Sequence, residues 1–219
     1  KHVPILEKHP EEAVLTNIFG TYNTLNLSSM YRVKKCVLIS TDKAVNPLSV
    51  MGATKRLAEL MVHNMPRNET VYSIVRFGNV IGSSGSLFPI WRKQIKTGKL
   101  DITHPEMTRY FMTIQEAALL TLQILVMKGA VENAHNIFVF DMGKQHNILE
   151  LAKLFIECYN PKADSEIKFN FIGIRPGEKL NEALFYNDEE YTKTYNDRIY
   201  AVRSKRDLRD QNFFIKIEN

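Results

Sequence analysis

Behind Pro10 the apolar residues Val14, Ile18, Tyr22 and Leu25 recur at helical spacing, and Glu11 and Glu12 occupy a first turn whose free N–H groups favour acidic side chains. The pattern predicts a long amphipathic helix over residues 10–30. Cys36-Val37-Leu38-Ile39-Ser40 follows two lysines as a short apolar run, the signature of a strand buried on both faces of a parallel sheet. Residues 50–63 return to helical spacing, and Val71 to Val75 form a second buried-strand run. Helix, strand, helix and strand in this order imply βαβ crossovers and an α/β fold with a parallel sheet.

Beyond Gly82 the texture changes. Ser83-Ser84-Gly85-Ser86 precedes a short helical pattern over 89–97 and the polar stretch Asp101 to Arg109, which marks the start of a second, smaller lobe. Thr113 with Glu116, and Asn147 with Glu150, are spaced as helix-opening caps, with a strand over 137–140 between the two helices. The apolar run Ala117 to Met127 is interrupted by Thr121 and Gln123 and falls short of the roughly 18 residues of a bilayer span, so it reads as a buried helix. The tail after Tyr186 is polar, with no clear period. No G-x-G-x-x-G joins a strand to a helix. If the sheet is a dinucleotide-binding one, its first half is expected upstream of Lys1.

Composition narrows the classes. The chain is 44% hydrophobic and 24% charged, as for an ordinary globular protein. Its net charge of +5 is dispersed, without the basic stripe and interleaved aromatics of a nucleic-acid-binding surface, so nucleic acid is not expected as a partner; a modest positive excess suits a small anionic substrate. Two cysteines are too few for a disulfide framework or a zinc site and fit a reducing cytoplasm, while the six histidines have no metal-ligand spacing. Residues 1–10 lack the pattern of a signal peptide.

Candidate chemistry concentrates in Ser40-Thr41-Asp42-Lys43-Ala44-Val45-Asn46-Pro47, which begins where a parallel strand ends, the usual ligand address of an α/β sheet. Asp42 and Lys43 bring together a carboxyl group able to give a proton and an amine that, when desolvated, can take one. A surface turn with an ion pair is the alternative. Ser49 is placed to cap the next helix, on which Met51 and Lys55 lie one turn apart on one face.

Together these segments resemble the active-site region of the UDP-N-acetylglucosamine 4,6-dehydratases of the CapD-like group, extended short-chain dehydrogenases/reductases of capsule, flagellar and protein glycosylation. Lys1-His-Val-Pro4, Arg76-Phe-Gly-Asn-Val80, Gly82-Ser-Ser-Gly-Ser86, the block Thr103 to Thr113, Phe138-Val-Phe-Asp-Met-Gly143 and Arg175-Pro-Gly-Glu-Lys179 resemble further family blocks in the same order. The likeness runs from Lys1 to Phe185. It implies a Rossmann-like doubly wound sheet whose second half is residues 1–82, and a region 83–219 that is mainly a nucleotide-sugar lobe, with a strand near 137–141 returning to the sheet.

The reaction implied is oxidation at C4 of the sugar by bound NAD or NADP, loss of water across C5 and C6, and hydride return to C6. By the same resemblance Lys43 is the base at C5, Asp42 the acid at the C6 hydroxyl, Thr41 a hydrogen-bond partner of the C4 oxygen, and Lys55 the holder of the nicotinamide ribose. Lys1, Asn17 and Phe77 join Lys55 at the cofactor. Asn79, Arg109, Arg175 and Glu178 face the UDP-amino sugar, the arginines because a planar guanidinium pairs with oxyanions bidentately. Met51 departs from the Tyr that short-chain dehydrogenases normally carry four residues before the Lys, and a thioether cannot donate that proton. Some CapD-like dehydratases resemble this chain in carrying Met. The family also implies a homo-oligomer in the cytoplasm, attached to membrane only through segments outside this chain. A UDP-sugar 4-epimerase, which would keep the Tyr, and a non-catalytic nucleotide-sugar-binding protein are the competing readings.

Overall fold

The computed structural model describes residues 2–66, 69–127, 136–159, 167–210 and 212–214. A short helix α1 (Val3–Leu6) leads into a long helical segment made of α2 (Pro10–Ala13), a π-helical stretch Val14–Phe19 and α3 (Gly20–Met30). The predicted single helix therefore carries a π segment in its middle, a feature that in helices often accompanies functional sites. Strand β1 (Lys35–Ile39), a 3₁₀ turn Asp42–Ala44, α4 (Val50–Asn64) and β2 (Val71–Arg76) follow. α4 starts where Ser49 predicts, with the Ser49 hydroxyl accepting from Gly52 N at 2.9 Å.

The region after Gly82 builds more than a lobe. Strand β3 (Asn79–Val80) precedes it, and it contains α5 (Leu87–Gln94), β4 (Lys99–Ile102), β5 (Thr108–Arg109), β6 (Phe111–Met112), α6 (Ile114–Val126), β7 (Asn136–Phe140), β8 (His146–Asn147), α7 (Ile148–Tyr159), β9 (Lys168–Phe171), β10 (Glu189–Lys193) and β11 (Ile199–Ser204). The main sheet runs β1-β2-β7-β11-β10. β1, β2 and β7 are parallel; β11 and β10 join antiparallel. The polar tail that shows no period in the sequence is thus a hairpin whose Ile199 and Val202 reach the core of the sheet.

The full capping box at α6, with Thr113 and Glu116 exchanging hydrogen bonds, matches its sequence signal. Its burial does not. Ala117, Leu120 and Ile124 face the core, while Leu119, Leu122 and Val126 are exposed. β1 departs in the same way from a strand covered on both faces, since Cys36, Val37 and Leu38 are half-buried and Ile39 is exposed. β1 is an edge of the sheet among the described residues, with α3, α4 and α6 packing against it and no strand paired beyond it. A second core forms around Trp91, Leu100, Ile102, Ile148 and Phe155, where α5, β4, β9 and α7 pack together. Among the described residues no helix is long and apolar enough to cross a membrane.

Candidate active site

The carboxyl ends of β1 and β2 are held side by side. Ser40 N donates to Val75 O at 2.7 Å and Asp42 N to Phe77 O at 3.2 Å, so the 3₁₀ turn after β1 follows the end of β2. Gly52 lets α4 close over this turn: a Cβ there would stand 2.3 Å from Lys43 O, a distance that no side chain can occupy. Gly78 does the same from the other side, where a Cβ would fall 2.7 Å from Tyr110 Cβ and 3.3 Å from Asp42 Oδ2.

Three of the predicted groups meet directly. The Thr41 hydroxyl donates to Asp42 Oδ1 at 2.8 Å, and Lys43 Nζ lies 3.0 Å from the same oxygen. Lys43 Nζ also donates to Asn79 Oδ1 at 3.1 Å, which brings a predicted sugar-binding residue to the predicted base. Asp42 is fully buried and its Oδ2 has no hydrogen-bond partner among the described residues. Leaving a buried acceptor without a donor costs about 1–3 kcal/mol, which makes this oxygen a candidate to engage a substrate hydroxyl.

Lys55 reaches the same strand end, with Nζ donating to Ile39 O at 3.0 Å. Burial lowers its pKa from the ordinary lysine value, partly opposed by the Glu59 carboxylate. Met51 is buried one turn earlier. Asn17, inside the π-helical stretch, donates to Thr54 Oγ1 at 3.0 Å, next to Lys55. Phe77 stacks on Phe140 with centroids 5.3 Å apart. Lys1 lies outside the described residues.

The predicted arginines are engaged within the protein. Arg109 is buried, and its guanidinium donates to Thr108 O, Leu180 O and Lys179 O at 2.7, 2.9 and 2.7 Å. It anchors the segment that follows β9 through these carbonyl acceptors. Arg175 pairs with Glu178 at 2.5 Å, and Gly177 between them comes so close to Ser49 and Glu7 that a Cβ would sit 2.8 Å from Ser49 Cβ. Lys179 Nζ donates to Val45 O at 2.8 Å. Segment 175–182 therefore lies along the turn that carries Asp42 and Lys43.

That segment brings in a residue for which the sequence gives little signal. Glu182 is buried, with Oε1 3.9 Å from Lys43 Nζ and Oε2 3.8 Å from Lys179 Nζ. Burial raises its pKa above the ordinary glutamate value, with Lys43 the largest opposing influence. Its only trace in the sequence is its position three residues after the Arg175–Lys179 block.

A buried ionic frame is also missing from the sequence reading. Arg76 is fully buried at the end of β2; it pairs with Glu59 through Nε at 2.7 Å and Nη2 at 2.8 Å, and with both Glu189 oxygens through Nη1 at 2.9 and 2.8 Å. Glu59 accepts in addition from Ser40 Oγ at 2.7 Å and Arg56 Nη1 at 2.9 Å. Burial pushes the Glu59 carboxyl up, but the Arg76 guanidinium and these hydrogen bonds outweigh it and hold the group below its ordinary range. Tyr186 closes the frame, donating through its hydroxyl to Ala44 O at 2.7 Å. Glu59 comes four residues after Lys55, and Arg76 ends an apolar strand; a charge there demands carboxylate partners.

A parallel sheet with βαβ crossovers, a Thr-Asp-Lys turn at the end of one strand and a Lys on the following helix define a Rossmann-like extended short-chain dehydrogenase/reductase. The chain belongs to the polysaccharide biosynthesis protein family, whose model matches residues 1–204. It is 47% identical over 203 residues to the capsular polysaccharide biosynthesis protein CapD of Staphylococcus aureus, covering 91% of this chain and 33% of that protein. It is 38% identical to a UDP-glucose 4-epimerase of Rickettsia rickettsii, over 97% of this chain and 61% of the relative. The solved structure of Pen from Bacillus thuringiensis superposes with a TM-score of 0.82 at 34% identity, covering 94% of this chain and 62% of Pen. The chain thus spans about a third of the CapD protein and about three fifths of the other two.

Proposed function

We propose that this chain carries the proton-transfer and sugar-binding part of an NAD(P)-dependent 4,6-dehydratase acting on UDP-N-acetylglucosamine in surface-polysaccharide or glycan synthesis. The observation that carries the reading is the joined set Thr41, Asp42, Lys43 and Asn79 at the carboxyl end of β1, with an open carboxylate oxygen on Asp42. An elimination across a carbon–carbon bond needs a base and an acid close together, and Lys43 Nζ and Asp42 Oδ1 are 3.0 Å apart.

The nicotinamide cofactor supplies a hydride acceptor that gives the hydride back. On this chain Lys55, Asn17 and Phe77 are the residues to hold it, and Lys55 fits, being a partly desolvated cation at the strand end. Once C4 is a ketone, the C5–H bond is acidified. The Lys43 amine takes that proton, the electron pair moves toward the carbonyl, and the C6–O bond breaks as Asp42 gives a proton to the leaving hydroxyl. Lys43 later returns a proton to C5. Asp42 is recharged by the proton lost from the C4 hydroxyl, for which Thr41, bonded to Asp42 Oδ1, is the conduit in a site where Met51 offers none. The UDP diphosphate is assigned to Arg175 and Arg109 with Glu178 at the ribose; such a contact requires exchanging part of their present bonds.

The test is mass spectrometry of UDP-N-acetylglucosamine incubated with the protein as encoded and with Lys43→Ala and Asp42→Asn. A product lighter by one water from the wild type, lost in both variants, supports the reading; binding without water loss refutes it in favour of a nucleotide-sugar-binding role. A 4-epimerase is the second reading, favoured by the similarity to the Rickettsia protein of that name. It would give a product of unchanged mass and altered C4 configuration, and Met51 argues against it.

A further inference from the structure

Glu182 stands near the proposed base, with Oε1 3.9 Å from the Lys43 Nζ that also donates to Asn79. The charged groups around it are Lys43 and Asp42 on the 3₁₀ turn, Arg109 on β5 and Lys179 on its own segment. Arg109 is occupied by three backbone carbonyls, two of them in the segment that carries Glu182, and Lys179 by Val45 O. Gln145 secures the segment further, donating through Nε2 to Glu182 O at 2.9 Å. The protein therefore uses a buried arginine and a side-chain amide to hold a carboxyl group beside Lys43, although that group makes no hydrogen bond through Oε2 among the described residues. A buried carboxyl oxygen that faces cations without a hydrogen bond costs stability, and sites that tolerate this cost are commonly functional.

We infer that Glu182 is a positioning residue of the reaction centre, which acts through Lys43 by setting how readily that amine gives up and takes back its proton. This rests on the dehydratase reading only for what the proton is used for; the coupling of the two groups stands on their geometry. Ionised, Glu182 places a negative charge 3.9 Å from Lys43 Nζ and favours the ammonium form. The amine is then a stronger base toward C5, and once protonated it keeps the proton available for return to C5. Protonated, Glu182 relaxes that hold. Asp42, bonded to Lys43 at 3.0 Å, gives its proton to the C6 oxygen and is the acid; Glu182 gives no proton to substrate.

Two measurements test this. In the protein as encoded, kcat for water loss from UDP-N-acetylglucosamine is measured across pH for the wild type, Glu182→Gln and Glu182→Asp. The rising limb of kcat in Glu182→Gln is expected to move to lower pH by about 1–3 units, with KM within about threefold, because the charge that favours the ammonium is gone. Glu182→Asp keeps the charge and should retain the wild-type limb. A uniform loss of kcat in Glu182→Gln with an unmoved limb overturns the inference and leaves Glu182 a structural residue. The second measurement needs no turnover: competitive acetylation of Lys43, read by peptide mass spectrometry across pH, should show its midpoint lowered in Glu182→Gln and unchanged in Glu182→Asp. An equal midpoint in all three proteins refutes the coupling. A wild type that never loses water but shows the shifted acetylation midpoint overturns the dehydratase reading alone.

Discussion

Replacing Arg76 by Met keeps the length and apolar bulk of the side chain and removes the charge that joins β2 to α4 and β10. Four short bonds disappear, two to Glu59 and two to Glu189, between groups that are fully or almost fully buried. Glu59 keeps Ser40 and Arg56, and Glu189 keeps the Tyr186 amide, so neither carboxylate is stripped bare. Counting each charge-assisted bond at about 1.5–3 kcal/mol gives an upper bound that ignores their shared geometry. Breaking a buried ion pair by removing one partner costs about 3–5 kcal/mol, and that is the expected loss, a large part of a total of about 5–15. The loss must depend on pH. Glu59 is held below its ordinary value in the folded protein, so its contribution is present above the unfolded value of 4.5 and is lost as pH falls through the folded value. In Arg76→Met the Glu59 carboxyl loses the charge that holds its value down and can protonate, so the gap between variant and wild type should narrow below about pH 4.5. Urea denaturation followed by far-ultraviolet circular dichroism at pH 7.5 and pH 4 measures both effects. A loss below about 1 kcal/mol, or a gap equal at the two pH values, would refute the reasoning; Arg76→Met combined with Glu59→Met should recover part of the loss.

Gly52→Ala would ordinarily strengthen a helix by about 1 kcal/mol; here the added methyl meets Lys43 O at 2.3 Å, so we expect a net loss of about 1–3 kcal/mol in a urea titration and a fall in turnover as the Asp42–Lys43 turn is displaced. Arg109→Lys preserves the charge but cannot span the same three carbonyls, and should lower stability by about 1–3 kcal/mol in the same titration; an unchanged midpoint would show that the segment over 179–182 holds its place without it.

The local signals in the chain marked the main strands and helices and the turn that carries Thr41, Asp42 and Lys43, though not the π segment or the β10–β11 hairpin. Apolar runs that end at Ser40 and Val75 mark strands, Ser49 and Thr113 mark helix starts, and the short spacing from Thr41 to Lys43 ensures that these groups share one turn whatever surrounds them. Such features depend on neighbours in sequence, which a linear reading sees. What the linear reading could not supply were contacts across large separations. Glu182 meets Lys43, Glu189 meets Arg76 and the Arg109 guanidinium meets Lys179 and Leu180 only because the chain folds back, and each meeting is fixed by the requirement that a buried charge find partners. Burial followed the same division. The sequence determined that β1 and α6 are apolar, but which of their faces is covered depended on neighbouring elements in space. The tertiary structure therefore decided that Ile39, Leu119 and Leu122 stand exposed while Asp42, Glu59 and Arg76 lie inside.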